Sequence, residues 1–163
     1  MKKVLYLDFE GSHAKGIREI GYLITEEKNI KFAEEKTDDE AVKCLAKLQT
    51  IEFEYIVSHN SFVEKNLIKK YFPYKLSQGA KGLHKQMWVD SLHVYRTLYP
   101  NLEKYDLKYL VNTFINYDSL DAITKSRCQK KAATFHHSLF DAICVYLLIK
   151  RLSSKINLHH FLR

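Results

Sequence analysis

The sequence predicts an α/β domain in which helices cover a mixed sheet. Three apolar, strand-like segments come first, at about residues 3–9, 17–25 and 29–36. Apolar runs with strand and then helix periodicity alternate after them, and no internal repeat divides the chain. At 163 residues the chain can bury one full core.

Each element has its own signal. The first strand is Val4-Leu5-Tyr6-Leu7-Asp8-Phe9-Glu10, and the tight link Glu26-Glu27-Lys28-Asn29 predicts a hairpin between the second and third. A helix near 39–50 follows, opened by Asp38 or Asp39, with Ala41, Leu45 and Leu48 inward. A short strand at 55–58 runs into a helix ending near 72, before Pro73. Gln78-Gly79-Ala80-Lys81-Gly82 reads as a loop, and a short strand is expected near Trp88 and Val89. The remainder is helical, with the most apolar helix reaching about Leu152. Residues 1–152 are taken as the domain. Residues 153–163 are taken as a loosely attached tail, whose Ile156, Leu158, Phe161 and Leu162 would dock on this domain or on a partner.

Composition narrows the function classes. No apolar stretch approaches 18 residues and Met1-Lys2-Lys3 opens no signal-peptide pattern, so neither a membrane span nor secretion is expected. Cys44, Cys128 and Cys144 are odd in number and lack metal-type spacing, which suits a reducing, cytoplasmic compartment. A net charge of +7 fits a polyanionic partner. Lys65, Lys69 and Lys70 flank one predicted helix, and Lys125, Arg127, Lys130 and Lys131 crowd what reads as a loop leading to His136. Those clusters would meet a phosphate backbone; a solvated polar face is the other reading.

The acids carry the chemistry. Period-two geometry places Asp8 and Glu10 on one face of their strand, where they repel unless a doubly positive ion sits between them. Alone, such a pair reads as two solvated surface groups. Two later segments answer it. Glu64 shares an i, i+3, i+4, i+7 stripe with Leu67, Ile68 and Tyr71, and Asp141 shares one with Cys144, Val145, Leu148 and Leu152. An ionised carboxylate on a core-facing stripe needs a cation or a donor network. All-oxygen ligands suit Mg²⁺ or Mn²⁺ better than Zn²⁺.

The order Asp8-x-Glu10, then His59-Asn60 with Glu64 four residues after the Asn, then His136 with Asp141 five residues later and Ala142 next, resembles the DEDDh group of 3′-to-5′ exonucleases. These are the DnaQ-like branch of the ribonuclease-H-like superfamily. Asp90-Ser91-Leu92-His93-Val94-Tyr95-Arg96 and Tyr105-Asp106-Leu107-Lys108-Tyr109-Leu110 look like that family's connecting helices, so the likeness covers roughly residues 3–152. The resemblance implies a three-layer ribonuclease-H-like fold with a mixed five-stranded central sheet. It also implies hydrolysis of DNA or RNA from a 3′ end with two Mg²⁺ or Mn²⁺ ions, about 3.5 to 4 Å apart. On that pattern Asp8 bridges both ions, Glu10 and Asp141 complete the site of the ion holding the attacking water, and Glu64 acts through the other ion's waters. His136 is the general base; a free imidazole titrates near about 6.5. If both were helical, His136 and Asp141 would point about 140° apart, so His136 is expected in a mobile loop before the helix, ordering with substrate and metal.

Two positions depart from the family pattern. Glu64 replaces the usual Asp, one methylene longer, and Gly11-Ser12 stands where a Thr pair is common. Holding the 3′ end would then pass to the backbone at Gly11 and to Ser12. His59 and Asn60 are read as substrate contacts, with capping or turn roles the alternative for the Asn. His137 occupies the position of the family's tyrosine variant, so the histidine variant is the better match. Trp88 and Tyr105 read as core, and His84, His159 and His160 as surface. Two other readings stay open: a catalytically impaired nucleic-acid-binding or polymerase-docking module, and an endonuclease or transferase on the related scaffold. A polymerase or other protein partner, and the oligomeric state, are equally open.

Overall fold

The computed structural model describes residues 2–73 and 81–163. The loop reading at Gln78-Gly79-Ala80 lies outside the described residues. Five strands, β1 (Lys3–Ser12), β2 (Gly16–Glu26), β3 (Asn29–Thr37), β4 (Tyr55–Ser58) and β5 (Trp88–Asp90), form one sheet in the order β3-β2-β1-β4-β5. The pairs β1/β2 and β2/β3 are antiparallel, whereas β4 runs parallel to β1 and β5 parallel to β4. The helices among the described residues are α1 (Asp38–Leu48), α2 (Ser61–Tyr71), α3 (Ser91–Leu98), α4 (Leu107–Phe114), α5 (Tyr117–Arg127) and α6 (Ser138–Leu152).

Strand alternation builds two cores, one on each sheet face. Leu5, Leu7 and Phe9 of β1 pack with Ile20 and Tyr22 of β2 beneath α1 and α2. Val4 and Tyr6 face the other way, with Leu23, Val57 and Val89, and meet α3 to α6. Asp8 and Glu10 continue that second phase, so they face α6. This helix is buried nearly all round, from Ser138 through Tyr146 and again at Leu148, Ile149 and Leu152. A single apolar stripe therefore understates it; α6 is the central helix of its layer. Its first turn sits directly on β2. A Cβ at Gly21 would lie 2.0 Å from the Leu139 nitrogen and 2.2 Å from the Ser138 carbonyl carbon, which leaves room for hydrogen alone.

The structure adjusts several expectations. Strand β1 continues past the acids to Ser12, through an irregularity between Glu10 and Gly11. The β2–β3 link is a two-residue turn with positive φ at Glu27 (50°) and Lys28 (66°), the backbone that follows strand twist even without glycine. Lys125 and Arg127 are not in a loop but in the last turn of α5, where cations complement the helix dipole. The tail is not loose. Trp88 and Arg163 exchange both backbone hydrogen bonds at 2.9 Å, Leu162 bridges Val89 antiparallel, and Leu158 is buried. The edge of β5 would otherwise present unpaired N–H and C=O groups, and the tail satisfies them.

Candidate functional site

Three chain segments bring the acids together beside α6. Asp8 and Glu10 lie on β1, opposite Gly21 and Glu19 of β2. Asp141 lies in the first turn of α6, and its Oδ2 accepts a 3.2 Å hydrogen bond from the His136 N–H. His136 stands outside the helix, exposed, with a left-handed backbone (φ 67°) uncommon for a residue other than glycine. That matches its expected place before α6. Donor atoms of Glu10, His136 and Asp141 lie within 4.8 Å of one another.

Glu64 arrives from the opposite layer. Its helix is pinned by Asp90 at the end of β5: Oδ1 accepts from the Asn60 N–H (2.9 Å), and Oδ2 accepts from the Ser61 N–H (3.0 Å) and hydroxyl (3.2 Å). The same carboxylate caps α3 through the Leu92 N–H at 3.0 Å. So fixed, Glu64 is 4% exposed, and among neighbouring charges it perturbs Asp8 most.

Burial and mutual repulsion push the acids toward their neutral forms. Asp8 is driven well above the carboxylate range by burial first, then by Glu64, Asp141, Glu10 and Glu19. Burial raises Glu64 to about 8, with Asp90 pushing the same way. Asp141 is raised to about 7 by burial, against the opposing His136 hydrogen bond. Glu10 is raised by burial, with His136 and Arg18 opposing, the latter 3.7 Å away. Asp8 Oδ2, Glu64 Oε2 and Asp141 Oδ1 are buried oxygens with no hydrogen-bond partner among the described residues. Each such orphan costs about 1 to 3 kcal/mol. Positive charge would relieve these carboxylates, and the cluster of Glu10, His136 and Asp141 is the set whose donor atoms lie close enough together to hold a cation.

The expected substrate contacts fare differently. Gly11 and Ser12 line, with Glu10, Lys15 and Arg18, an open hollow of about 620 Å³. Gly11 (φ 148°) has a reason of its own, because a Cβ there would lie 2.2 Å from the Gly16 oxygen. Its glycine therefore serves the hairpin first. The Ser12 hydroxyl accepts from the Lys15 N–H at 3.1 Å. His59 holds the Ser91 hydroxyl and the Tyr105 carbonyl, each at 2.9 Å, so both ring nitrogens are spent on a strut between β4, α3 and the segment before α4. That corrects its reading as a substrate contact. Asn60 is exposed at φ 64° and leaves its side chain off the α2 cap.

The basic clusters also divide. Lys65 lies over the Trp88 ring at 5.4 Å, and Lys70 staples the β1–β2 turn through the carbonyls of His13 (2.5 Å) and Ala14 (3.3 Å). Lys69, Lys125, Arg127, Lys130 and Lys131 remain exposed.

Asp90, Glu19 and Gly21 were missed in the sequence as parts of the site. A signal existed for each. Asp90 precedes a helical run with capping chemistry. Glu19 and Gly21 fall in the inward phase of a strand whose other phase, Ile20 and Tyr22, is also buried.

No protein-family model and no curated protein matches the chain. Solved structures do. The chain is similar to exonuclease X in complex with 5′ overhanging duplex DNA, at 16% identity over 99% of this chain and 97% of that one, with a TM-score of 0.64. It is similar to E. coli exonuclease I in complex with a dT13 oligonucleotide, at 16% identity over 95% of this chain and 42% of that one, with a TM-score of 0.62. A further exonuclease I structure gives 15% identity over 94% and 41%, with a TM-score of 0.65. The chain thus spans nearly all of exonuclease X and about two-fifths of exonuclease I. At these identities the likeness is one of architecture: the mixed five-stranded sheet between two helical layers is the ribonuclease-H-like α/β fold of these exonucleases.

Proposed function

We propose that the protein is a metal-dependent 3′-to-5′ exonuclease of the DEDDh type. It would hydrolyse phosphodiester bonds from the 3′ end of single-stranded or frayed DNA or RNA and release nucleoside 5′-monophosphates. The observation that carries this reading is that Asp8, Glu64 and Asp141 each bury a carboxylate oxygen without a hydrogen-bond partner among the described residues, that Glu64 and Asp141 both act on Asp8, and that Asp141 clusters with Glu10 and the exposed His136 imidazole. The fold shared with exonucleases X and I supports it.

Asp8, Glu10 and Asp141 would hold Mg²⁺ or Mn²⁺, two ions per site, with Glu64 completing the acid set. When bound, the ions supply positive charge for the transition state and the departing 3′ oxygen. His136 would take the proton of the attacking water. Glu10 and Asp141 place carboxylate oxygens within 4.8 Å of its ring nitrogen. The His136 N–H to Asp141 bond ties the base to one of the metal-holding acids. The hollow along Glu10, Gly11, Ser12 and Arg18 offers a place for the terminal nucleotide, and the exposed cations near the end of α5 offer charge for the phosphates behind it.

The test is cleavage of matched 5′-labelled DNA and RNA oligomers with Mg²⁺, Mn²⁺ or EDTA, beside the Asp8→Ala and His136→Ala proteins. A ladder shortening from the 3′ end, abolished by EDTA and by either substitution, is expected, with circular single strands left intact. Binding without metal-dependent products would make the chain a binding module, and cutting of circles would make it an endonuclease.

A further inference from the structure

Helix α6 carries no capping group of its own. Its N-cap residue, His137, makes no side-chain cap hydrogen bond, yet the first turn holds Asp141 and the residue before the cap is His136. The missing acceptors come from the sheet. Glu19 Oε1 accepts from the Ser138 N–H at 2.6 Å and from the Ser138 hydroxyl at 2.8 Å. Glu35 Oε2 accepts from the Leu139 N–H at 3.2 Å, and the His137 Nδ1 lies 3.8 Å from Glu19 Oε2. Glu19 is 7% exposed.

The register explains how these contacts reach the site. Glu10 pairs with Glu19, and Asp8 pairs with Gly21, which in turn pairs with Glu35. All five residues share one phase of the sheet, the phase that faces α6. Gly21, lacking a side chain, lets the first turn of α6 settle between the two glutamates. The strands that carry or flank the metal-site acids therefore also hold the helix that carries the last of them.

We infer that Glu19 and Glu35 are positioning residues, a two-carboxylate clasp that fixes the first turn of α6 and keeps Asp141 and His136 in register with Asp8 and Glu10. The clasp stands on hydrogen bonds and burial; its effect on turnover rests on the exonuclease reading above. A helix N-terminus has free N–H donors and a positive dipole end, so carboxylates are the acceptors it favours most. Loss of the clasp would let the turn shift, and a displacement near 1 Å at reacting groups can cost about 100-fold in rate.

Glu19 also lies close to Glu35 and His137, with donor atoms of the three within 4.8 Å, so direct metal binding by its carboxylate is the competing role. Glutamine separates the two. Its amide oxygen can still accept from Ser138, but it is a poor substitute for a charged metal ligand. The full chain would be compared with its Glu19→Gln, Glu19→Ala and Glu35→Ala variants by amide hydrogen exchange over residues 136–145 and by kcat and KM on a 5′-labelled oligomer with Mn²⁺.

Glu19→Ala is expected to speed exchange at Ser138 and Leu139 by about tenfold or more, as expected for a lost cap. It should lower kcat by about 30-fold to 100-fold, with KM within about threefold. Glu19→Gln should restore exchange and kcat to within about threefold of the unsubstituted chain. Glu35→Ala, which removes one hydrogen bond, should show both effects at smaller size and carries the test if Glu19→Ala does not fold. Unchanged exchange in the alanine variants would overturn the clasp. So would a Glu19→Gln protein as inactive as Glu19→Ala with native exchange, which would make the carboxylate a direct ligand. If the unsubstituted chain cleaves nothing, the exchange measurements still decide the clasp, and the exonuclease reading alone fails.

Discussion

Neutralising Glu64 should stabilise the metal-free protein at pH 8 and leave it nearly unchanged near pH 4.5. Burial raises this carboxyl from 4.5 to about 8, so the folded chain holds its proton more tightly than the unfolded chain does. The resulting stabilisation is complete below pH 4.5 and is lost as pH rises through about 8. Between those limits the loss runs at about 1.36 kcal/mol per pH unit and reaches about 4 kcal/mol at pH 8. Glu64→Gln keeps the shape and removes the titration. Asp8, also raised by burial and by Glu64, adds a loss of the same sign that the substitution partly relieves. For a domain of this size, about 4 kcal/mol corresponds to a Tm difference of roughly 10 °C. Thermal melts of both proteins in EDTA from pH 4.5 to 8, followed by circular dichroism, measure it. A Glu64→Gln protein less stable than the unsubstituted chain at pH 8, or a difference that ignores pH, would refute the argument. Mn²⁺ should raise the Tm of the unsubstituted chain at pH 8 more than that of Glu64→Gln.

Three further substitutions probe the surroundings. Gly21→Ala places a methyl 2.0 Å from the Leu139 nitrogen and should cost about 3 kcal/mol in urea unfolding, because α6 must move off β2. Leu158→Ala should cost about 2 to 3 kcal/mol while leaving Mn²⁺ affinity unchanged; an undiminished stability would mean that the tail does not dock. His59→Ala should cost about 1 to 3 kcal/mol through the unpaired Ser91 hydroxyl and Tyr105 carbonyl. A change in oligomer affinity without a change in stability would restore His59 as a substrate contact.

Much of the frame was legible because it rests on periodicity. The alternation in Val4 to Glu10 placed both acids on one face, where they are half-buried, and the stripes through Glu64 and Asp141 placed two more acids inward, where both are buried. Tertiary pairing was less legible. Glu19 and Glu35 lie 119 and 104 residues from the backbone groups they cap, and no local pattern announces such a partner. His59 sat in a motif that pointed to substrate, yet Ser91 and Tyr105 take both its nitrogens from distant segments. The tail's apolar residues were visible, but their seat on β5 depends on which strand forms the sheet edge.

Binding of Mn²⁺ to the unsubstituted chain and to Asp8→Asn, titrated by electron paramagnetic resonance at pH 7.5 with a nucleoside 5′-monophosphate present, tests the central claim most directly. Two saturable ions per chain, lost or sharply weakened in a folded Asp8→Asn protein, is the predicted result. Equal binding by both proteins, or none by the unsubstituted chain, would contradict the assignment of these carboxylates to a metal centre.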